Sequence, residues 1–290
     1  MVRESHSGYQ FDDQQTDASS SDASSAQETT PPESTILDKI VGDTREVIAR
    51  RKRERPAGEL EQMPGFDREP LDFAEALRSK SLSVITEIKK ASPSKGIIRP
   101  GDFNVARIAA DYAENGAAAL SVLTEPLHFQ GKPDYLAQAR RAADVPILRK
   151  DFIVDPYQLV EARAYGADAV LLIAAVLDAD QLYDLHQAAD ELGLACLVEV
   201  YDASELDRID FDQISVIGVN NRDLRTFEVD LDHAPRVLKD TPPGLVTVAE
   251  SGLKTADDLK HVRDAGIDAV LVGETLMRAD QPGEKLKRIS

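Results

Sequence analysis

The chain has 290 residues, 42% of them hydrophobic, with 34 basic against 52 acidic side chains and a net charge of -18. No apolar run approaches ~18–20 residues, so a membrane-spanning helix is not expected, and a single cysteine, Cys196, excludes an intramolecular disulfide framework or a cysteine-rich zinc site. The acidic balance argues against a nucleic-acid-binding face. The polar, acidic opening MVRESHSGYQFDDQQ has no apolar segment of the kind a secretory signal needs. A cytoplasmic protein without nucleic-acid or membrane partners is therefore expected.

Residues 1–34 read as a disordered acidic tail. Up to Thr35 the chain carries eight Ser, seven acidic residues and one basic residue, and the stretch DASSSDASSAQETTPPE has no aliphatic residue to offset the entropy of ordering. Residues 35–290 read as one domain. Thr35 and Asp38 fit a capping pattern, and Leu37, Ile40, Val41, Val47 and Ile48 recur at helical spacing. The basic run RRKRER (50–55) ends that helix, where it complements the helix dipole. A Pro/Gly-punctuated connector leads to a second short helix in DFAEALRSK.

From residue 83 the pattern becomes regular. Apolar runs occur at 83–88, 118–123, 146–152, 169–175, 195–200, 216–220, 245–250 and 269–273. They are near-continuous, as strands buried on both faces are. Amphipathic helical stretches separate them. Strand and helix alternating eight times over roughly 200 residues predict an α/β fold, the (β/α)8 TIM barrel, with an extra N-terminal helical segment. Gly116, Gly166 and Gly266 each precede a run and read as helix C-caps, with Asp168 and Asp268 as structural residues entering the strands.

Such barrels carry their chemistry at the C-terminal strand ends. The two-residue strand period places Glu87 with Lys89, and Lys150 with Phe152, on one face each. Glu199, Asn220, Arg222 and Glu250 end three further strands. Inward-pointing charges on five strands converge on one mouth, where they either serve a ligand or form a structural ion-pair network. Ser251-Gly252 and Gly273-Glu274 follow the last two long strands, the usual phosphate site of this fold. With the hydroxyls and lysine of SPSKG (92–96) they suggest a phosphorylated small substrate. Phe129 and Phe152 suggest an apolar wall for a ring. Cys196 reads as core filling, and the five histidines show no ligand spacing, so no metal site is expected.

The segments TEIKKASPSKG, LTEPLHFQG, PILRKDFIVDPYQ, GADAVLLIAA, LVEV, GVNNRDLRTF, VAESG and VLVGETLMR, in that order from about residue 35 to 290, together resemble the indole-3-glycerol-phosphate synthase family of tryptophan biosynthesis. The resemblance implies ring closure, decarboxylation and dehydration of 1-(2-carboxyphenylamino)-1-deoxyribulose 5-phosphate, without a cofactor or metal, usually by a monomer. It implies Lys150 as general acid, Glu199 as general base and Lys89 in dehydration or in holding the substrate carboxylate. Glu87, Asn220, Arg222 and Glu250 match supporting or binding positions. Ser92, Ser251, Gly252, Gly273 and the backbone at Glu274 match phosphate contacts. Phe129, Phe152, Leu171 and Leu224 match the ring pocket. Glu274 departs from members that carry Ser there, so its charge has to be kept clear of a phosphate. A lysine acid working near neutral pH is expected to have its pKa lowered. Two other readings stand beside this one, a Schiff-base aldolase with Lys150 as nucleophile and a non-catalytic phosphate-sugar binder.

Only 13 of the 34 basic residues are Lys, while 32 of the 52 acidic ones are Asp. Such a surface suits high salt, where self-repulsion is screened. The melting temperature is expected to rise as salt is added. A flat or falling curve would remove the salt-adaptation reading.

Overall fold

The computed structural model describes residues 35–223, 226 and 228–290. The expected tail (1–34) and Leu224 lie outside these described residues. Three helices come first: α1 (Ile36–Glu54), α2 (Ala57–Leu60) and α3 (Phe73–Arg78). The Thr35 capping box forms as the sequence predicts: Thr35 Oγ1 accepts from the Asp38 amide, and the Asp38 carboxylate accepts from the Thr35 amide. Ile40, Val47 and Ile48 are buried on the inner face of α1.

The basic end of α1 does more than complement the dipole. Arg51 Nη1 lies 3.1 Å from Glu161, Lys52 Nζ 2.6 Å from Asp155, and Arg55 Nη1 donates to the Tyr165 hydroxyl at 2.8 Å. These partners lie more than a hundred residues downstream, on and around a later helix, Tyr157–Ala164. The cationic run is thus an anchor for the whole N-terminal segment.

Next come β1 (Ser83–Ile88), a small hairpin of β2 (Ala91–Ser92) and β3 (Gly96–Ile97), and α4 (Val105–Glu114). The chain then alternates through β4 (Ala119–Leu123), α5 (Asp134–Ala142), β5 (Ile147–Lys150), α6 (Tyr157–Ala164), β6 (Ala169–Ile173), α7 (Ala179–Glu191) and β7 (Ala195–Val200). A 3-10 turn, Ala203–Arg208, follows β7. The remaining elements are β8 (Val216–Asn220), α8 (His233–Leu238), β9 (Val246–Glu250), α9 (Ala256–Asp264), β10 (Ala269–Val272), α10 (Glu274–Met277) and α11 (Pro282–Ile289). Eight strands, β1 and β4 to β10, pair in parallel and close on themselves, so the fold is a (β/α)8 barrel. The eight apolar runs of the sequence are these eight strands. The hairpin was not anticipated, because two-residue strands leave no periodicity to read.

The strand period divides each strand between two cores. Ile85, Leu148, Leu171, Leu197, Val216, Val248 and Leu271 point inward, where Phe73, Ala74 and Leu77 of α3 join them. Val84, Ile88, Ile147, Val170, Val198 and Ile217 point outward beneath the helices. Two buried layers account for strands that read as apolar throughout. Gly116, Gly166 and Gly266 have positive φ, as helix-terminating glycines do.

Asp168 is a structural hub. Its carboxylate accepts from the backbone amides of Leu71 and Ile147, each at 2.7 Å, from Arg140 at 2.9 Å, and from Arg68. It ties the connector before α3 to β5 and to the turn entering β6. Its side chain is fully buried, so neutralising it strands two arginines and breaks charge-assisted bonds. Asp168→Asn is expected to lower unfolding stability by about 3 kcal/mol, measured by urea titration. A loss within experimental error would show that the hub is dispensable.

Candidate active site

A cavity of about 540 Å³ opens at the C-terminal ends of the strands. Every site residue expected from the sequence lines it, apart from Leu224, which is not described: Lys150, Glu199, Lys89, Glu87, Asn220, Glu250, Ser92, Phe129, Phe152, Leu171, Arg222, Ser251, Gly252, Gly273 and Glu274. The inward set of each strand carries the barrel core lower down and these side chains at the rim. Two glycines make space for the acids. A Cβ at Gly218 would lie 2.7 Å from Glu250 Oε1, and one at Gly273 would overlap the Glu87 carboxylate.

Lys150 is the centre of the charge cluster. Its Nζ lies 2.5 Å from Glu250 Oε2 and 3.0 Å from Glu199 Oε2. Lys89 Nζ pairs with Glu87 Oε1 at 2.5 Å. Burial works against the Lys150 charge, but Glu199, Glu250 and Glu87 outweigh it and hold its pKa above the ordinary lysine value. This corrects the expectation of a lowered pKa: the groups facing Lys150 are carboxylates rather than cations.

Glu250 moves the other way. Burial pushes its carboxyl up to about 8, Glu199 adds to the rise, and Lys150 offsets part of it. Its Oε1 is buried and has no hydrogen-bond partner among the described residues. One ammonium faces two carboxyl groups here, and the more deeply buried of them, Glu250, keeps its proton near neutrality. The mouth therefore holds an ammonium donor, a proton-bearing carboxyl and the Glu199 side chain within one hydrogen-bonded set.

Behind Lys150 lies a network the sequence reading missed. Arg149 points outward from β5 and is fully buried. Its guanidinium donates to Asp151 (2.9 Å), Glu161 (2.7 Å), the Gln158 carbonyl (2.7 Å) and Thr124 Oγ1 (3.1 Å). Thr124 in turn donates to Asp151, whose other oxygen accepts from the Phe152 amide. Strand β5 ends at Lys150 because Asp151 turns into this network, two residues before the end of the apolar run. Phe152 still reaches the cavity.

The lining differs from strand to strand. After β4 and β5, Phe129 and Phe152 pack as a tilted pair with centroids 6.2 Å apart, and Leu171 and Ile173 of β6 and Ile36, Leu37 and Ile40 of α1 add further apolar lining. After β9, Ser251 and Gly252 adopt consecutive positive φ values, 69° and 83°. A non-glycine residue held there is strained, a feature that gathers at functional sites. The amide of buried Asn221 donates to the Ser251 carbonyl at 3.4 Å. Ser92, Ser94 and Thr275 add hydroxyls, and Lys254, Arg278 and Lys285 add cations that the sequence reading did not single out. Burial raises the Glu274 carboxyl, but Arg278, donating at 2.9 Å, together with Lys95 and Lys89, holds it below the usual range. Its charge is thereby countered beside the small-residue loops.

Away from the mouth, Cys196 is buried, and burial pushes its thiol up to about 12, consistent with core filling. Among the described residues no three His, Cys, Asp or Glu side chains group as a metal site, and no helix is long and apolar enough to cross a membrane.

A closed parallel barrel with an acid–base cluster at its C-terminal mouth places the chain among the (β/α)8-barrel enzymes. Solved structures agree on the fold. One is 3-hexulose-6-phosphate synthase from Salmonella typhimurium, with TM-score 0.58 and 16% identity over 72% of this chain and 96% of that one. Another is a mutant tryptophan synthase α-subunit from Pyrococcus furiosus, with TM-score 0.54 and 13% identity over 71% and 97%. The sequence resolves the family. Residues 37–289 match indole-3-glycerol phosphate synthase. The protein of that name from Salinibacter ruber is 59% identical over 88% of this chain and 95% of its own length, and that from Laribacter hongkongensis is 50% identical over 88% and 99%. The chain belongs to the indole-3-glycerol phosphate synthase family.

Glu250 gives a pH signature. Its folded pKa of about 8 stands above the ordinary 4.5. Its contribution to stability is therefore full below about 4.5 and is lost as pH rises to about 8. Relative to the unaltered chain, Glu250→Gln is expected to gain stability across that interval in urea titrations at stepped pH. Parallel curves would mean that Glu250 ionises normally.

Proposed function

We propose that this chain converts 1-(2-carboxyphenylamino)-1-deoxyribulose 5-phosphate to indole-3-glycerol phosphate, releasing CO2 and water. The observation that carries the reading is the Lys150–Glu199–Glu250 cluster standing between an apolar ring wall and a cation-flanked, small-residue rim, in a chain of this family. The substrate has a matching layout: an aromatic carboxylate at one end, a phosphate at the other and a ketone between them.

In this scheme the ring carbon bearing the carboxylate attacks the ketone carbon, and the Lys150 ammonium donates a proton to the ketone oxygen as the bond forms. Loss of CO2 returns the electron pair to the ring and restores aromaticity. Dehydration removes the new hydroxyl from the former ketone carbon and a proton from the adjacent methylene, with Glu199 as the base. Lys89, held by Glu87, holds the substrate carboxylate or assists the departing hydroxyl. Asn220 and Arg222 reach the cavity from the end of β8, where they bind the substrate chain. Phe129, Phe152 and Leu171 enclose the ring. Ser92, Ser251, Gly252, Gly273 and the Glu274 backbone receive the phosphate. Atoms and electrons close with CO2 and water as the only other products.

A Schiff-base aldolase needs Lys150 as a neutral amine, and the carboxylates around it favour the ammonium instead. A binder without catalysis has no use for a buried acid–base set, whose charges are costly to place there. The reading includes a cytoplasmic monomer without nucleic-acid or membrane partners.

The test is appearance of indole fluorescence from the purified chain and this substrate. Lys150→Ala and Glu199→Gln are each expected to lower kcat by about 10²–10⁴. A folded chain that binds the substrate and yields no indole product would refute the reading.

A further inference from the structure

Glu125 is a buried acid that the scheme above does not use. It lies just past the end of β4, is 1% exposed, and does not line the cavity. Its carboxylate accepts three successive backbone N–H groups: Leu127 at 2.9 Å, His128 at 2.7 Å and Phe129 at 2.9 Å. The Gly131 amide closes the turn on the Glu125 carbonyl at 2.7 Å. Gly131 also packs so closely on the Leu123–Thr124 backbone that a Cβ there would overlap it. Gln130, between them, is held at φ 55°. A loop with one residue in the left-handed region and three amides turned inward does not hold that shape unaided.

The loop has two outputs. Phe129 packs against Phe152, ring centroids 6.2 Å apart and planes tilted by 41°, and both rings line the cavity. His128 Nε2 lies 2.8 Å from Asp43 on α1, the helix whose Ile36, Leu37 and Ile40 line the same cavity. The phosphate-type rim, built by other loops, makes no bond to Glu125.

We propose that Glu125 is a positioning residue for the ring subsite, its carboxylate fixing the 127–129 turn so that Phe129 forms the wall against the substrate's carboxyphenyl group. This rests on the functional reading above. A glutamine has one acceptor oxygen and turns an NH2 toward amides that also donate, so it cannot satisfy all three. Loosening the turn should weaken ring binding and leave the phosphate end alone.

The experiment compares the unaltered chain, Glu125→Gln, Phe129→Leu and the double variant in steady-state kinetics, with inorganic phosphate as competitive inhibitor. For Glu125→Gln, KM is expected to rise about tenfold with kcat within about twofold and an unchanged inhibition constant for phosphate. In the Phe129→Leu background the same change should raise KM less than about twofold, because the wall it positions is already gone. If Glu125→Gln does not fold, Glu125→Asp, one methylene too short to reach all three amides, is read by the same criteria. An unchanged KM, a rise that persists in the Phe129→Leu background, or parallel losses of kcat and phosphate affinity would overturn the proposal. No turnover by the unaltered chain would overturn the functional reading and this inference with it, a result seen before any variant is examined.

Discussion

The structure is organised around keeping one ammonium charge at the top of a barrel. Lys150 has only 15% of its side chain exposed, and an unpaired cation there would be expensive. Glu199, two strands away on β7, and Glu250, across the barrel on β9, meet it at hydrogen-bonding distance. Gly218 is small because a side chain would occupy the space Glu250 needs. Arg149, next to Lys150 in the chain, points to the opposite face of β5 and is neutralised there by Asp151 and Glu161. Lys150 and Arg149 thus belong to two separate ion-paired sets, one inside the mouth and one beneath the helices.

The outer set also carries the architecture beyond the barrel. Glu161 accepts from Arg149 and from Arg51 of α1 with the same oxygen. The end of β5, helix α6 and the N-terminal helix are therefore joined through buried or half-buried charge. That contact holds α1 in place, and Ile36, Leu37 and Ile40 from its start line the cavity. Broken individually, such links leave an uncompensated charge inside the protein. The arrangement favours one docking of α1 over sliding alternatives.

Much of this was legible in the sequence. The eight strands could be read because burial on both faces leaves unbroken apolar runs, and the lining of the candidate site could be read because charges interrupt those runs at their C-terminal ends. Thr35 and Asp38 announced the first helix because capping is local. What stayed hidden depends on partners far apart in the chain. RRKRER gave no hint that Arg51 and Lys52 reach Glu161 and Asp155. Arg149 looked like one more strand residue beside Lys150, although a second charge inside an apolar run is itself a signal of a buried pair. Glu125 sat in a recognised segment, but which atoms a carboxylate accepts from is set by the turn around it. The pKa directions were the least legible of all, because they follow from which groups face each other across the mouth.

The direction at Glu250 bears on how an acidic chain collects an anionic substrate. Six cationic and five acidic side chains line the cavity among the described residues. Asp151 is committed to Arg149, and Glu274 to Arg278. Glu250, with its carboxyl at about 8, adds little negative charge near neutrality. The mouth therefore carries a positive balance within a chain of net charge -18. Walls of low dielectric concentrate that field along the entrance, while the acidic exterior repels anions elsewhere. A proton kept on Glu250 thus limits the negative charge facing Lys150 and keeps the balance of the mouth positive. Deprotonating it would add a negative charge next to the reacting centre, where an incoming carboxylate is least able to tolerate one.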